Sequence, residues 1–207
     1  MKKMNILAIG AHPDDIEFGC GGALIKYADN GHHLSMLVMT EGGLGGTTDI
    51  RTAEQMDSRK IMGVKRVFWG GYQDTHLAIN RELINEIEKV IAEVQPDFIF
   101  CHHPEDTHQD HRHLAQAVIS ATRYIPNVLF FEGPTTQNFA PQIFIDISDT
   151  LKRKITALEA HRSQIEKTNI KDLNIVDIAV ATANFRGTQG RVQYAEAFSS
   201  LRLFINI

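Results

Sequence analysis

The sequence predicts a Rossmann-like, three-layer α/β fold with a mostly parallel sheet, and two observations support this class. Short apolar runs alternate with longer amphipathic stretches, which is the order of strands and helices in βαβ units. The apolar runs are nearly continuous, as in strands that helices cover on both faces. Because no repeat, low-complexity tract or linker interrupts this alternation, we expect a single domain over residues 1–207.

The first half of the chain supplies four strand candidates, over residues 5–10, 33–40, 66–69 and 97–101. Helices are predicted between them, over residues 17–30, 51–62 and 81–94. A glycine follows each of the first two helices, as is common at helix C-termini. Pro96 ends the third helix, because proline cannot continue the hydrogen-bond ladder. Strand and helix therefore alternate through this half, which predicts parallel strands with right-handed crossovers.

The second half of the chain has a less regular pattern. We predict a helix over residues 111–122 and strands over 128–131 and 142–147. Ser148 is a plausible N-cap for a helix that runs to about residue 164. The stretch 176–183 fits either a helix or a strand, and 193–198 is predicted to be a short helix.

Composition excludes several classes of protein. The net charge of -4 gives no basic footprint for nucleic acid, and no apolar run reaches the roughly 18 residues of a membrane span. The two cysteines, Cys20 and Cys101, do not suggest a disulfide framework. The N-terminal apolar run ends at Ala11, which is too short for a signal peptide. We therefore expect a cytoplasmic protein.

Two polar loops follow the first and fourth strand candidates, and both carry histidine and aspartate. The first loop reads His-Pro-Asp-Asp over 12–15, and the second reads His-Gln-Asp-His over 108–111. Ligands of open parallel sheets bind beyond the carboxyl ends of the strands, so we expect these loops to meet. The carboxylates at 14 and 15 would repel a dinucleotide phosphate. The glycines at 19, 21 and 22 come too late for a phosphate loop, and we expect them to let a helix pack closely on the sheet.

Neutral imidazole and carboxylate are suitable ligands for Zn²⁺, and three protein ligands leave a fourth position for water. The most economical set is His12, Asp15 and His111, which leaves Asp14 beside the metal and able to accept a proton from the bound water. His113 is a competing ligand, but a side chain two positions along a helix points elsewhere. Three other histidines, at 76, 102 and 103, are expected in loops or at the sheet edge, with His76 a possible border of the site.

The two motifs together resemble the paired signatures of the LmbE-like/PIG-L de-N-acetylase family. The likeness extends to residues 51–54, to Lys154 with residues 161–164, and to residues 194–198. The resemblance implies an LmbE-like fold and an enzyme that removes the acetyl group from an N-acetylglucosamine-type sugar or glycoside. It also implies Zn²⁺ as the cofactor, with Fe²⁺ as an alternative metal, and it allows a homo-oligomer.

By the same resemblance, His12, Asp15 and His111 bind the metal, and Asp14 is the general base. His108 becomes the proton donor or oxyanion stabiliser, Asp110 orients it, and Arg51 holds hydroxyl or phosphate groups of the substrate. A carboxylate near His108 would also raise the pKa of that imidazole. The sequence departs from the family pattern at Gln109, where proline is common. It also departs over 40–43, where Thr-Glu-Gly-Gly replaces the commoner Thr-x-Gly-Glu.

Two other functions fit parts of the pattern. A non-haem iron oxygenase also uses two histidines and one carboxylate, although it has no need of the additional carboxylate of Asp14. A non-catalytic metal- or sugar-binding module would not need a base at all. In that case the two aspartates would only cap a helix that begins near Ile16.

Overall fold

The computed structural model describes residues 3–205, so both ends of the predicted domain 1–207 lie outside the described residues. Seven strands form the sheet: β1 (Asn5–Gly10), β2 (His33–Thr40), β3 (Arg66–Tyr72), β4 (Phe98–His102), β5 (Val128–Phe131), β6 (Ile143–Asp146) and β7 (Ala195–Arg202). The helices of the described residues are α1 (Asp15–Asp29), α2 (Thr48–Met62), α3 (Arg81–Val94), α4 (Gln109–Ala121), α5 (Leu151–Glu159) and α6 (Ile175–Gly190).

The strands lie in the order β3-β2-β1-β4-β5-β7-β6, and β1 to β5 are parallel. Apolar cores lie on both faces of the sheet, one against α3 and α4 and the other against α1, α2 and α5. The three-layer α/β prediction is therefore confirmed. Strand order reverses at β1, which pairs with β2 on one side and β4 on the other, and Ile9 lies opposite Cys101. The loops that follow β1 and β4 consequently leave the sheet side by side.

The C-terminal part of the chain differs most from the sequence predictions. Residues 193–198 do not form a helix, because residues from Ala195 onward form β7, which lies between β5 and β6 and is antiparallel to both. Hydrogen bonding of β7 to β5 and to β6 outweighs the helix-like pattern of the local sequence. The ambiguous stretch 176–183 is helical, within α6. Helix α5 ends at Glu159, and its N-cap is Thr150 in place of Ser148, whose hydroxyl donates to Asp146.

Two glycines set the distance between α1 and its neighbours, as predicted. A Cβ atom at Gly19 would lie 2.1 Å from the ring of Phe131, and one at Gly22 would lie 2.9 Å from Ile147. Helix α1 also breaks its regular geometry at Cys20 (φ -146°, ψ 16°). This kink leaves backbone N–H groups in the middle of the helix that need new acceptors.

The carboxylate of Glu196 accepts hydrogen bonds at the kink, from the N–H groups of Gly22 (2.8 Å) and Ala23 (2.7 Å). The ammonium of Lys154 donates to the same carboxylate (2.6 Å) and to the carbonyl oxygen of Phe18 (2.6 Å). Both charged side chains are buried. Because β7 supplies Glu196 and α5 supplies Lys154, this pair ties the C-terminal elements to the helix that follows the first polar loop.

We expect Lys154→Met to lower the free energy of unfolding by about 3–5 kcal/mol, because it leaves the Glu196 carboxylate buried without its cation. Urea denaturation measures the change. Lys152→Met, on the exposed face of the same helix, is the matched control and should stay within about 0.5 kcal/mol of the natural sequence. Equal stability of the two variants would show that the buried pair is not required.

Candidate metal centre and active site

The first polar loop is held in a strained turn between β1 and α1. Asp14 adopts a left-handed backbone conformation (φ 92°, ψ -25°), which is uncommon for a residue with a Cβ and is typical of functional sites. The turn is fixed from both sides, because the N–H of His12 donates to Asp15 Oδ2 (2.7 Å) and Arg51 Nη2 donates to the carbonyl oxygen of Pro13 (2.7 Å). The conformation of this turn thus directs the carboxylates of the adjacent residues Asp14 and Asp15 to different sides.

The structure brings the three predicted metal ligands together. His12 Nδ1 lies 3.4 Å from Asp15 Oδ2, and His111 Nε2 lies 3.4 Å from Asp15 Oδ1. Two donors of one tetrahedral zinc ion stand roughly 3.4 Å apart, given Zn–N and Zn–O bonds near 2.1 Å. The ring centroids of His12 and His111 are 5.5 Å apart. The two spacings involve different oxygens of Asp15. Among the described residues, the sets of three donors that all lie within 4.8 Å of one another are His12–His108–His111, Asp15–His102–His111 and His12–Asp74–Asp110. The cluster therefore has the donor types that a divalent cation needs, and the trio of His12, Asp15 and His111 stays a prediction.

The electrostatics of this cluster also favour a cation. Burial lowers the pKa of His12, but Asp110, Asp15 and Asp74 outweigh that effect and hold the pKa well above its usual value. Burial likewise opposes protonation of His111, yet Asp15 and Asp106 raise its pKa to about 9. Excess negative charge around two imidazoles is what a bound cation would neutralise in place of protons.

Asp14 stands at the edge of this cluster. Its side chain is 25% exposed and lines the same cavity as His12, Asp15 and His111. Burial raises the pKa of the Asp14 carboxyl to about 6, and the adjacent Asp15 adds to the rise. Asp15 behaves in the opposite way, because His111 and His102 outweigh burial and lower its pKa. Two neighbouring carboxyls with pKa values moved apart are typical of an acid–base site.

Arg51 lines the cavity, but its guanidinium is engaged by the protein itself, and its predicted role in substrate binding stays a prediction. The side chain is buried, and Nη1 donates to the carbonyl oxygen of Gly42 (2.8 Å) while Nη2 donates to that of Pro13 and lies 3.5 Å from Asp14 Oδ2. A Cβ atom at residue 42 would lie 1.9 Å from Nη1, so glycine makes room for the guanidinium. A buried guanidinium needs hydrogen-bond acceptors. Because one of its acceptors is the carbonyl oxygen of Pro13, Arg51 is tied to the turn that carries Asp14.

We expect Arg51→Lys to lower kcat roughly tenfold to a hundredfold with little change in KM, because an ammonium cannot bridge both carbonyl groups and Asp14 loses its position. Steady-state kinetics measure the two constants. Arg162→Lys, at an exposed position, should leave both unchanged. A rise in KM with kcat preserved would instead return Arg51 to the substrate-binding role.

His108 lines the cavity, but Asp110 does not orient it through its carboxylate as predicted. The Asp110 carboxylate lies 3.2 Å from His12 Nε2 and accepts from the N–H groups of Thr75 and Leu77. Only the backbone N–H of Asp110 is directed at His108, and it donates to Nδ1 (3.2 Å). The pKa of His108 is lowered by burial, then by His111 and His12, although Asp110 contributes in the raising direction. Asp110 therefore acts in the predicted direction, but burial, His111 and His12 outweigh it.

Three residues near the cluster were missed in the sequence. His102 is buried, stacks on His111 with centroids 4.0 Å apart, and places Nε2 3.1 Å from Asp15 Oδ2. Asp74 Oδ1 lies 3.1 Å from His12 Nε2, and Asp106 Oδ2 lies 3.3 Å from His111 Nδ1. Carboxylates behind histidine ligands usually fix ring orientation. His102 ends β4 beside the carboxyl end of β1, and that position was the available signal.

The other predicted histidines are placed away from the cluster. His76 is exposed, while its neighbour Thr75 lines the cavity. The Nδ1 atom of His113 lies 2.6 Å from the carbonyl oxygen of Leu77. His161 is buried, with Nε2 3.4 Å from Glu17 Oε1, and Gln164 lines the cavity and donates to the carbonyl oxygen of Gly45. Of the segment 161–164, Gln164 therefore borders the site, whereas His161 lies behind it against Glu17.

Fold and site together define a three-layer α/β protein with a candidate metal centre at the carboxyl ends of β1 and β4. Residues 7–122 match the family model described as PIG-L: GlcNAc-PI de-N-acetylase. The chain belongs to this family, as the resemblance predicted. Within the described residues, every helix is too short or too polar to cross a membrane.

Relatives agree with the assignment. The chain is 38% identical over 173 residues to the uncharacterized deacetylase YaiS of Escherichia coli K12, covering 78% of this chain and 92% of YaiS. It is 31% identical over 186 residues to the diacetylchitobiose deacetylase of Thermococcus kodakarensis, covering 77% and 69%. The structure of the N,N'-diacetylchitobiose deacetylase of Pyrococcus horikoshii superposes with a TM-score of 0.83 at 27% identity, covering 95% and 83%. These relatives support an amide-hydrolysing de-N-acetylase.

Proposed function

We propose that this protein hydrolyses the acetamide of an N-acetylglucosamine-type sugar or glycoside with the help of a divalent metal. One observation carries the proposal: Asp14 faces the cavity beside His12, Asp15 and His111 without being needed as a fourth ligand. An additional carboxylate next to a metal trio suits hydrolysis, whereas an oxygenase or a binding module has no use for it. The activities for which two of the relatives are named support the choice of an amino sugar.

His12, Asp15 and His111 would hold the metal, and zinc is the proposed ion because these ligand types suit it best. When bound, such an ion lowers the pKa of water and polarises the acetyl carbonyl. His102, with Asp15 and His111, forms another close set of donors. It is not the third ligand in this proposal, because its Nε2 already lies within 3.2 Å of the backbone N–H of Ala11 and 3.1 Å of Asp15 Oδ2. His102 instead packs behind Asp15 and His111.

Asp14 accepts the proton of the attacking water as the new C–O bond forms. Its pKa of about 6 lies close to neutral pH, where a general base is most effective. Arg51 holds the turn from behind, so the carboxylate does not have to reorganise during the reaction. The C–N bond then breaks, the protonated Asp14 returns the proton to the leaving amine, and acetate and the free amino sugar are released.

His108 serves as a neutral donor in this proposal. Because its Nδ1 accepts the N–H of Asp110, the proton of the neutral ring is on Nε2. The lowered pKa keeps that form populated at neutral pH. An N–H donor of this kind stabilises the oxyanion that develops on the acetyl oxygen, and one such donor is typically worth roughly 3–4 kcal/mol. This role replaces the cationic proton donor expected from the sequence.

A panel of N-acetylated amino sugars, from monosaccharide to disaccharide and glycoside, tests the function with zinc-loaded and iron-loaded protein. We expect acetate and free amine in equal amounts. Oxygen consumption without acetate would support the iron oxygenase instead. Sugar binding without turnover, unaffected by Asp14→Ala, would support the non-catalytic module.

A further inference from the structure

The cavity that contains Asp14 continues into an apolar wall that the proposed reaction does not use. Half-buried side chains of Leu173, Ile175 and Ile178 line this part, on the segment before α6 and on its first turns. The cavity has a volume of about 710 Å³, and pockets of roughly 300–1,000 Å³ hold drug-sized ligands. An N-acetylated sugar ring at the polar end would leave room for a substituent along this wall.

Two further apolar side chains stand at the mouth of the same cavity. Leu44, in the loop after β2, is 70% exposed, and Ile170, in the segment after α5, is 57% exposed. Single exposed apolar side chains are common, but a group of them around one cavity indicates a surface that a ligand covers, and these two share the cavity with Leu173, Ile175 and Ile178. Since both border the cavity that holds the candidate metal ligands, the ligand that covers them is a part of the substrate.

Hydrogen bonds hold the two mouth segments in place. The N–H of Leu44 donates to Asp74 Oδ2 (2.9 Å). Gln164 Nε2 donates to the carbonyl oxygen of Gly45 (3.2 Å), and the ammonium of Lys167 donates to the same oxygen. The loop after β2 and the segment after α5 are therefore joined, and the exposure of Leu44 and Ile170 results from a defined arrangement.

The chemistry of the wall selects among substituents. The side chains from Leu44 and Ile170 to Ile178 that form it are apolar, and a charged group placed against them would lose its hydration without gaining a partner. Lys167 also lines the cavity, and its ammonium donates to the carbonyl oxygen of Gly45. We propose that the wall from Leu44 and Ile170 to Ile178 is a subsite for an uncharged, apolar aglycone on the amino sugar. This proposal rests on the proposed function and narrows its substrate class.

The test compares methyl and hexyl glycosides of N-acetylglucosamine, both as α and as β anomers, with zinc-loaded protein. For the accepted anomer, we expect kcat/KM of the hexyl glycoside to be about tenfold higher than kcat/KM of the methyl glycoside. Burial of roughly two methylene groups has an effect of this size. The double variant Leu44→Ser/Ile170→Ser should reduce the ratio to about twofold. Ile79→Ser, which removes an exposed isoleucine outside the cavity, should leave the ratio at its original value.

The outcomes separate the subsite from the function. Acetate release at equal kcat/KM from both glycosides would overturn the subsite and leave the deacetylase intact. The natural sequence could instead prefer N-hexanoyl over N-acetyl substrates, with the double variant losing that preference. This result would assign the wall to the acyl chain and would also overturn the proposal. Acetate release from neither glycoside would overturn the function itself. Calorimetry on Asp14→Asn protein then still measures the hexyl-to-methyl ratio of Kd, and a ratio of one would overturn the subsite independently.

Discussion

Asp14→Asn is expected to retain one equivalent of metal and to lose about 10²–10⁴-fold in kcat, the usual contribution of a general base. Asparagine keeps the shape of the side chain and its contact with the Arg51 guanidinium, but it cannot accept a proton from water. The left-handed backbone at this position tolerates asparagine as well as aspartate, so the turn should be preserved. Acetate release and metal content measure the two parts of the prediction.

The matched control is Asp49→Asn, an exposed aspartate in the first turn of α2, which should be as active as the natural sequence. Full activity of Asp14→Asn with metal bound would show that another group removes the proton. Loss of the metal from this variant would place Asp14 among the ligands.

Asp15→Asn, the same substitution one residue later, is expected to lose the metal and with it all detectable hydrolysis. The Asp15 carboxylate stands between His12 Nδ1 and His111 Nε2, and it is the one negatively charged member of the proposed ligand trio. A neutral amide would bind the cation far more weakly. Metal analysis after dialysis, together with acetate release at increasing zinc concentrations, measures both effects.

Asp14→Asn and Asp15→Asn thus control for each other, because each replaces one aspartate by asparagine and changes the net charge by the same amount. Retention of tightly bound metal by Asp15→Asn would contradict the ligand assignment, whatever its effect on turnover. Circular dichroism would establish that both variants keep the α/β fold, since Asp15 also accepts the N–H of His12.

The sequence was sufficient to predict the elements whose pattern is local. Helix α3 and strands β1, β2 and β5 match their predicted bounds, because apolar periodicity, glycine and proline mark their ends. Strand β7 was missed, because its stability depends on pairing with β5 and β6, far away in sequence. The predicted length of α5 was too great, also because of a contact distant in sequence. After Glu159 the chain turns towards the cavity, where Gln164 contacts Gly45.

The candidate site was predictable where position in the fold decides it. The three proposed ligands follow β1 and β4, which are neighbours in the sheet. The order of the strands was therefore enough to predict that His12, Asp15 and His111 lie close together. The direction of a side chain within the site was not predictable. Arg51 turns inward because buried carbonyl groups accept its hydrogen bonds, and Asp110 turns to His12 because Thr75 and Leu77 complete its coordination by N–H groups. Such choices depend on several loops at once.

The central claim is that His12, Asp15 and His111 bind one cation while Asp14 remains free. The most direct measurement is a crystal structure of zinc-loaded protein with an anomalous difference map at the zinc edge. We predict one peak about 2.0–2.2 Å from a nitrogen of His12, a carboxylate oxygen of Asp15 and a nitrogen of His111. A peak coordinated by His102 in place of His12, or by Asp14, would contradict the account.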